Sequence, residues 1–167
     1  KYNSYDELID SNKIDAAYIS LPNSMHYEIT KKLLINGIHC LVEKPLTCSH
    51  IELLEINEIA RRKKLALVET FQFQHHSQFK YIQDLIIKKY LGELRSIDIK
   101  FGFPLFQDKN NIRYQKELQG GALLDVGVYI AKAANLLTNT HQANIVTNIN
   151  YIEGYEVDMY GSCLIIT

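Results

Sequence analysis

Residues 15–45 read DAAYISLPNSMHYEITKKLLINGIHCLVEKP, and the fold class turns on them. Asp15 to Leu21 is a compact apolar run, the size of a buried strand. Pro22-Asn23-Ser24 ends it, because proline brings no ladder donor and Asn and Ser favour turns. A helix is expected from about Ser24, with Met25, Ile29 and Leu33 at spacings of four on one face. Gly37 closes that helix where the chain turns left-handed. Ile38 to Val42 reads as a second buried strand, which leaves the sheet at Glu43-Lys44-Pro45. Strand, helix and strand in so short a span make a βαβ unit, and hence a parallel sheet.

The flanks extend the pattern. Upstream, Ser4 and Glu7 form a capping box before a short helix through Ile9. Downstream, Ser49 and Glu52 repeat that signal before a helix whose apolar face is Leu53, Ile56 and Ala60. Arg61, Arg62, Lys63 and Lys64 lie in and just beyond its last turn, where cations complement the helix dipole. Leu65 to Phe73 follows as a third strand. Parallel sheets take ligands beyond the carboxyl ends of their strands. Here those ends are Pro22-Asn23, Glu43-Lys44 and the stretch from Gln72 to His76, and polar residues gather at all three.

Near His75 the pattern changes. Ser77 to Tyr90 reads as a helix with Phe79, Ile82 and Ile86 on one face, stopped by Gly92. Arg95 to Phe103 alternates, with Ile97, Ile99, Phe101 and Phe103 on one side, as an amphipathic strand does. Phe106 to Glu117 is a polar loop, and Gly120-Gly121 opens a helix to about Leu137. Ala143 to Thr167 alternates again at Ile145, Thr147, Ile149 and Tyr151, with a turn at Glu153-Gly154. The expectation is an α/β segment over residues 1–75 and an α+β segment with a mainly antiparallel sheet over residues 76–167.

Composition narrows the function classes. The chain has 167 residues, 47% of them apolar, and a formal net charge of −1. That balance gives no electrostatic footprint for nucleic acid. No uninterrupted apolar run approaches the roughly 18 residues of a membrane span, so no membrane partner is expected. No signal peptide is visible, and a start at Lys1 rather than Met points to missing upstream sequence. Cys40, Cys48 and Cys163 lack paired metal spacing and read as buried or free thiols of a reducing, cytoplasmic compartment.

Asp125 and Tyr129 are four apart on an expected helix and so share a face, with Lys132 near it. A Tyr hydroxyl can give a proton to a developing alkoxide when a neighbouring positive charge stabilises its phenolate. Lys44, at a strand's carboxyl end, is the candidate for that charge. A plainer reading makes Tyr129 a packed core aromatic, Asp125 a capping or solvated group, and Glu43-Lys44-Pro45 a charged exit from the sheet. His75-His76 puts two imidazoles on opposite faces with no third ligand, so no metal is expected. His26 lies in the first turn of its helix, and His39 alternates along a strand as a structural residue. Arg113 is either a solvated charge or an anion clamp. No G-x-G-x-x-G, P-loop or nucleophile elbow occurs in the sequence.

Three segments together resemble the Gfo/Idh/MocA oxidoreductases. They are LPNSMH (Leu21 to His26), NGIHCLVEKP (Asn36 to Pro45) and GGALLDVGVY (Gly120 to Tyr129). Each alone is weak, but their order and spacing match over nearly the whole chain. Tyr129, where many relatives have His, is similar to the dihydrodiol dehydrogenase, glucose–fructose oxidoreductase and nucleotide-sugar 3-ketoreductase branches. FQFQHHSQF, LGELRSI and NIRYQKELQGGALLDVGVY look most like the 3-ketoreductases of deoxysugar pathways.

The resemblance implies a partial Rossmann domain over 1–75 and a partial substrate-binding and oligomerisation domain over 76–167. It implies NAD or NADP as cofactor, a carbohydrate substrate and a homo-oligomer. Tyr129 would be the proton donor, Lys44 would support it and the nicotinamide ribose, and Asp125 would position substrate or Lys44. Pro22, Asn23, His26 and Glu43 would line the cofactor, with His76, Gln78 and Arg113 as weaker substrate contacts. A Rossmann strand and glycine turn would lie roughly 60 to 70 residues upstream, if each βαβ unit takes about 30. This segment alone would then be inert. Other readings the resemblance leaves open are a trans-dihydrodiol or aldose dehydrogenase, and an inactive truncated relative serving as an interaction module.

Overall fold

The computed structural model describes residues 1–138 and 143–166. It falls into two compact units: Lys1–Thr70 with Glu117–Gln119, and Phe71–Lys116 with Gly120–Thr167.

The first unit is the α/β part. Its sheet is three-stranded and parallel, in the order β1 (Ala16–Ile19), β2 (His39–Glu43), β3 (Leu67–Thr70). Helices α1 (Tyr5–Asp10), α2 (Asn23–Ile35) and α3 (His50–Lys63) surround it in sequence. The core joins Ile9 of α1, Leu33 and Leu34 of α2, Cys40 and Val42 of β2, and Ile56 and Ile59 of α3. The register lines up Tyr18, Leu41 and Val68 in one row across the sheet, and all three are exposed. The strands are therefore buried on one face among the described residues, where the apolar runs led us to expect burial on both.

Local chemistry accounts for the helix ends. The Ser4 hydroxyl accepts from the Glu7 N–H at 3.1 Å, while Glu7 reaches back to the Asn3 N–H at 2.7 Å. This is the expected capping box, with the return bond displaced by one residue. Ser49 caps α3 by position, but its side chain makes no capping bond. Gly37 sits at φ +81°, and Ile38 N–H donates to the Leu33 carbonyl at 3.0 Å, closing α2 in a Schellman turn. Lys64 does the same for α3 at φ +57°. The buried face of α2 is His26, Thr30, Leu33 and Leu34, rotated by about one position from Met25, Ile29 and Leu33. Lys31 pairs with Glu55 at 2.8 Å and Tyr27 also binds Glu55, so one exposed cluster ties α2 to α3. Such an exposed pair contributes only about 0–1 kcal/mol.

The second unit holds α4 (Ser77–Ile87), α5 (Val128–Thr138) and an antiparallel hairpin of β4 (Asn144–Tyr151) and β5 (Asp158–Ile166). The hairpin matches the alternation from Ile145 to Tyr151, and Gly154 turns at φ +87°. Thr167 lies outside the described residues. Three expectations need correction. Helix α4 ends at Ile87, because Lys89 takes φ +51° and Tyr90 N–H returns to the Leu85 carbonyl; Gly92 lies beyond that stop. Residues 95–103 belong to no strand. Ile97 and Ile99 are half-buried while Ser96, Asp98 and Lys100 are exposed, but Phe101 and Phe103 of the same row are exposed as well, so the alternation sets sidedness only over its first half and has no ladder partner. The polar loop contains two short 3₁₀ turns, Ile112–Tyr114 and Lys116–Leu118.

Lys116–Thr138, a 3₁₀ turn and the helical turns that follow the break at 119–121, spans 23 residues and is long and apolar enough to cross a membrane by length and composition alone. Counting uninterrupted apolar residues missed it. The same stretch carries Asp125 and Lys132.

Candidate active site

The first unit, taken by itself, holds the groups at the strand exits. Pro22 caps α2, whose first turn holds no acid and whose N-terminus has no side-chain cap. Such a terminus directs backbone N–H groups and positive dipole toward an anion. Asn23 opens the helix, and its side-chain amide donates to the Gln119 carbonyl at 2.8 Å. Glu43 ends β2 and accepts from the Tyr18 hydroxyl at 2.5 Å. Loss of the phenolic proton beside that carboxylate is disfavoured, which pushes the Tyr18 hydroxyl above its ordinary value. Lys44 follows, half-buried, and the Lys44-Pro45 peptide is cis.

His26, expected against the cofactor, is 1% exposed. Its Nδ1 lies 2.7 Å from the Pro45 carbonyl oxygen and its Nε2 lies 2.8 Å from that of Leu21. The ring is thus engaged with backbone on both sides. His39 is structural as expected, with Nδ1 accepting from the Ala66 N–H at 2.8 Å.

The second unit, taken by itself, holds the remaining candidates. A π-helical turn, Leu123–Gly127, precedes α5 and carries Asp125. Turns of this kind occur often at functional sites. They also widen the helix, so a four-residue spacing no longer fixes a shared face. Asp125 Oδ2 accepts from Arg113 Nε at 2.7 Å, and the carboxylate-bearing side chain is only 15% exposed. Arg113 also lies 5.0 Å from the centre of the Phe106 ring. Of the two readings open for Arg113, a lone solvated charge does not describe it. Tyr129 stands in an aromatic box, edge-on to Phe71 and Phe101 at 5.4 Å each and 6.1 Å from Phe73. Lys132 lies over the Phe71 ring at 5.5 Å.

The glycine pair explains how the chain enters this helix. A Cβ on Gly120 would collide with the Arg113 carbonyl and come within 2.8 Å of that of Ile112. Gly121, at φ +110°, faces the Asp158 carboxylate, which accepts the Leu123 N–H at 2.6 Å. The close approach is to backbone at Gly120 and to the Asp158 carboxylate at Gly121, and the two together fix the start of the helix bearing Asp125 and Tyr129.

The weaker candidates lie at the start of α4. His76 is its N-cap, with Nδ1 accepting from the Gln78 N–H at 3.2 Å; both residues are exposed. Sequence reasoning missed Glu69, whose Oε1 accepts the Leu46 N–H at 2.8 Å. A signal existed: a carboxylate inside a strand read as buried needs a partner. The three cysteines are free; burial pushes the Cys40 thiol up to about 12 and, with Glu52 nearby, that of Cys48 to about 11.

Residues 1–71 match the model of an oxidoreductase family with an NAD-binding Rossmann fold, and residues 79–167 match that family's C-terminal domain. The chain is 36% identical over 163 residues to a dTDP-3,4-didehydro-2,6-dideoxy-alpha-D-glucose 3-reductase of Streptomyces violaceoruber, covering 96% of this chain and 47% of that protein. It is 44% identical over 130 residues to the corresponding enzyme of Saccharopolyspora spinosa, covering 78% and 39%. It is also similar to the crystal structure of a 3-ketoreductase from Actinomadura kijaniata in complex with NADP and TDP-benzene. There the TM-score is 0.91 and the identity 33%, over 98% of this chain and 50% of that one. The chain spans about half the length of the curated relatives it matches.

Proposed function

The chain belongs to the Gfo/Idh/MocA oxidoreductase family, and on that premise we propose that the protein carrying it is an NAD(P)-dependent nucleotide-sugar 3-ketoreductase. The observation that carries this reading is 36% identity to a dTDP-sugar 3-reductase along 96% of the chain. Residues 1–75 then form part of the dinucleotide-binding domain and residues 76–167 part of the substrate domain.

The strand exits fit a dinucleotide. An uncapped, acid-free α2 N-terminus at Pro22 and Asn23 suits its anionic part, and Lys44 adds a cation at the next strand exit. NAD(P), when bound, supplies the hydride. Tyr129 gives its hydroxyl proton to the sugar oxygen as that oxygen gains charge. Lys44 offsets the negative charge left on the phenol and donates to the nicotinamide ribose and the sugar. Asp125, held by Arg113, orients a sugar hydroxyl by accepting its hydrogen bond. Glu43 holds the exit of β2 through Tyr18. His76 and Gln78 remain substrate-contact candidates from the start of α4.

Substrate selection tests the reading. Purified full-length protein with NADPH or NADH should oxidise the nicotinamide with a nucleotide-linked 3-keto sugar. In the reverse direction it should show much lower kcat/KM on a trans-dihydrodiol or a free aldose. Preference for either of those two would move the protein to a neighbouring branch.

The protein is further proposed to be a cytoplasmic homo-oligomer. Free thiols support the compartment. Exposed Ile145, Ile149 and Ile165, which the register puts on one face of the hairpin, and exposed Phe101 and Phe103 support self-association, since apolar surface of that kind needs cover. Light scattering at roughly tens of micromolar, a working range for a specific interface, should give more than one protomer; a monomer contradicts this.

A further inference from the structure

Lys44 matters in the proposed reaction only if its ammonium stands in one place. A four-carbon side chain is flexible, so its backbone has to be fixed. Three elements of the first unit hold the segment around it. From α2, His26 Nδ1 meets the Pro45 carbonyl at 2.7 Å. From β3, Glu69 accepts the Leu46 N–H at 2.8 Å. From β1, the Tyr18 hydroxyl binds Glu43 at 2.5 Å. Pro45 and Leu46 are buried, so the two backbone groups that His26 and Glu69 engage are shielded from water.

We propose that His26 and Glu69 are positioning residues that hold the Lys44-Pro45-Leu46 backbone from opposite sides and so set where the Lys44 ammonium stands. His26 does more than hold one strand exit. Its Nε2 lies 2.8 Å from the Leu21 carbonyl, immediately before Pro22-Asn23. One buried ring therefore couples the exits of β1 and β2, the two places proposed to meet the cofactor. A carbonyl only accepts, so a neutral ring donates to one exit and a doubly protonated ring to both. Glu69 fastens the same segment to β3.

This inference rests on the proposed role of Lys44, so its test separates the clamp from the reaction. Full-length protein is prepared as wild type, Glu69→Leu, Glu69→Gln and His26→Gln. Hydrogen exchange over residues 43–48 reads the clamp without substrate. Glu69→Leu should speed exchange there by at least about tenfold, because a buried N–H loses a charged acceptor, and leave α3 unchanged. Glu69→Gln keeps a carbonyl acceptor and should exchange as wild type does. His26→Gln should loosen both 43–48 and the stretch around Leu21. In turnover, Glu69→Leu should lower kcat by about 10 to 10² while Glu69→Gln restores it, as expected when a reacting group is misplaced by about 1 Å. Unchanged exchange in Glu69→Leu overturns the clamp. Faster exchange with unchanged kcat overturns the positioning role. A wild type inactive on every sugar overturns the proposed reaction instead, and exchange still decides whether the clamp exists.

Discussion

Tyr129→Phe is expected to lower kcat of the full-length enzyme by about 10² to 10⁴ with little change in KM. On the proposed role the change would remove a proton donor and nothing else of size. The ring keeps its edge-on contacts to Phe71 and Phe101, both at 5.4 Å, so packing is preserved. A loss of that order is about 3 to 5 kcal/mol of barrier, far above what a deleted phenol oxygen costs a half-buried site in stability. The competing view treats Tyr129 as a core aromatic. It forecasts a near-normal kcat and, at most, a shifted unfolding midpoint. A Phe variant retaining more than about half of the wild-type kcat puts less than roughly 0.5 kcal/mol at stake and removes Tyr129 from the reaction.

Lys44→Ala is expected to cost at least as much in kcat, because on the proposed roles it would remove both the charge that offsets the phenolate and a donor to the cofactor ribose. Unlike Tyr129→Phe, it should also raise KM for the nicotinamide cofactor. The two variants should be strongly non-additive: the double variant should fall little below the worse single one, since neither group works without the other. Additive losses would mean that Lys44 and Tyr129 serve separate steps. Steady-state kinetics of the four proteins over a pH series provides the measurement.

These expectations draw on residues that the sequence discloses to different degrees. The parallel sheet is legible because Asp15 to Val42 packs two apolar runs, a helix and Gly37 into a span that fits one βαβ unit. Lys44 is legible for the same reason, as the residue after a strand end. The stop of α4 is not, because glycine is the usual left-handed residue and Gly92 offered itself, whereas Lys89 takes that conformation. Residues 95–103 show the converse limit. Alternation picks out Ile97 and Ile99 as the half-buried positions but not Phe101 and Phe103, which are exposed, and a strand also needs a hydrogen-bonded neighbour, which a sequence pattern does not contain.

At the site, periodicity located the helix bearing Asp125 and Tyr129 but assumed regular turns. The π-helical turn at Leu123–Gly127 intervenes between that assumption and the geometry. The Arg113–Asp125 pair spans 12 residues and a loop of two 3₁₀ turns, so no local spacing announces it. His26 illustrates a different gap. Its place in the first turn of α2 is readable, yet only coordinates reveal that both nitrogens face backbone carbonyls and that the ring is shielded.

The substrate experiment reaches the central claim most directly when the nicotinamide carries deuterium at its transferable position. Full-length protein is incubated with that cofactor and a nucleotide-linked 3-keto sugar, and the product is read by NMR. The account predicts deuterium on the ring carbon that held the carbonyl, and only a trace in the Tyr129→Phe protein over the same time. Oxidised nicotinamide without label on the sugar, or no transfer with NADPH and NADH alike, would contradict it.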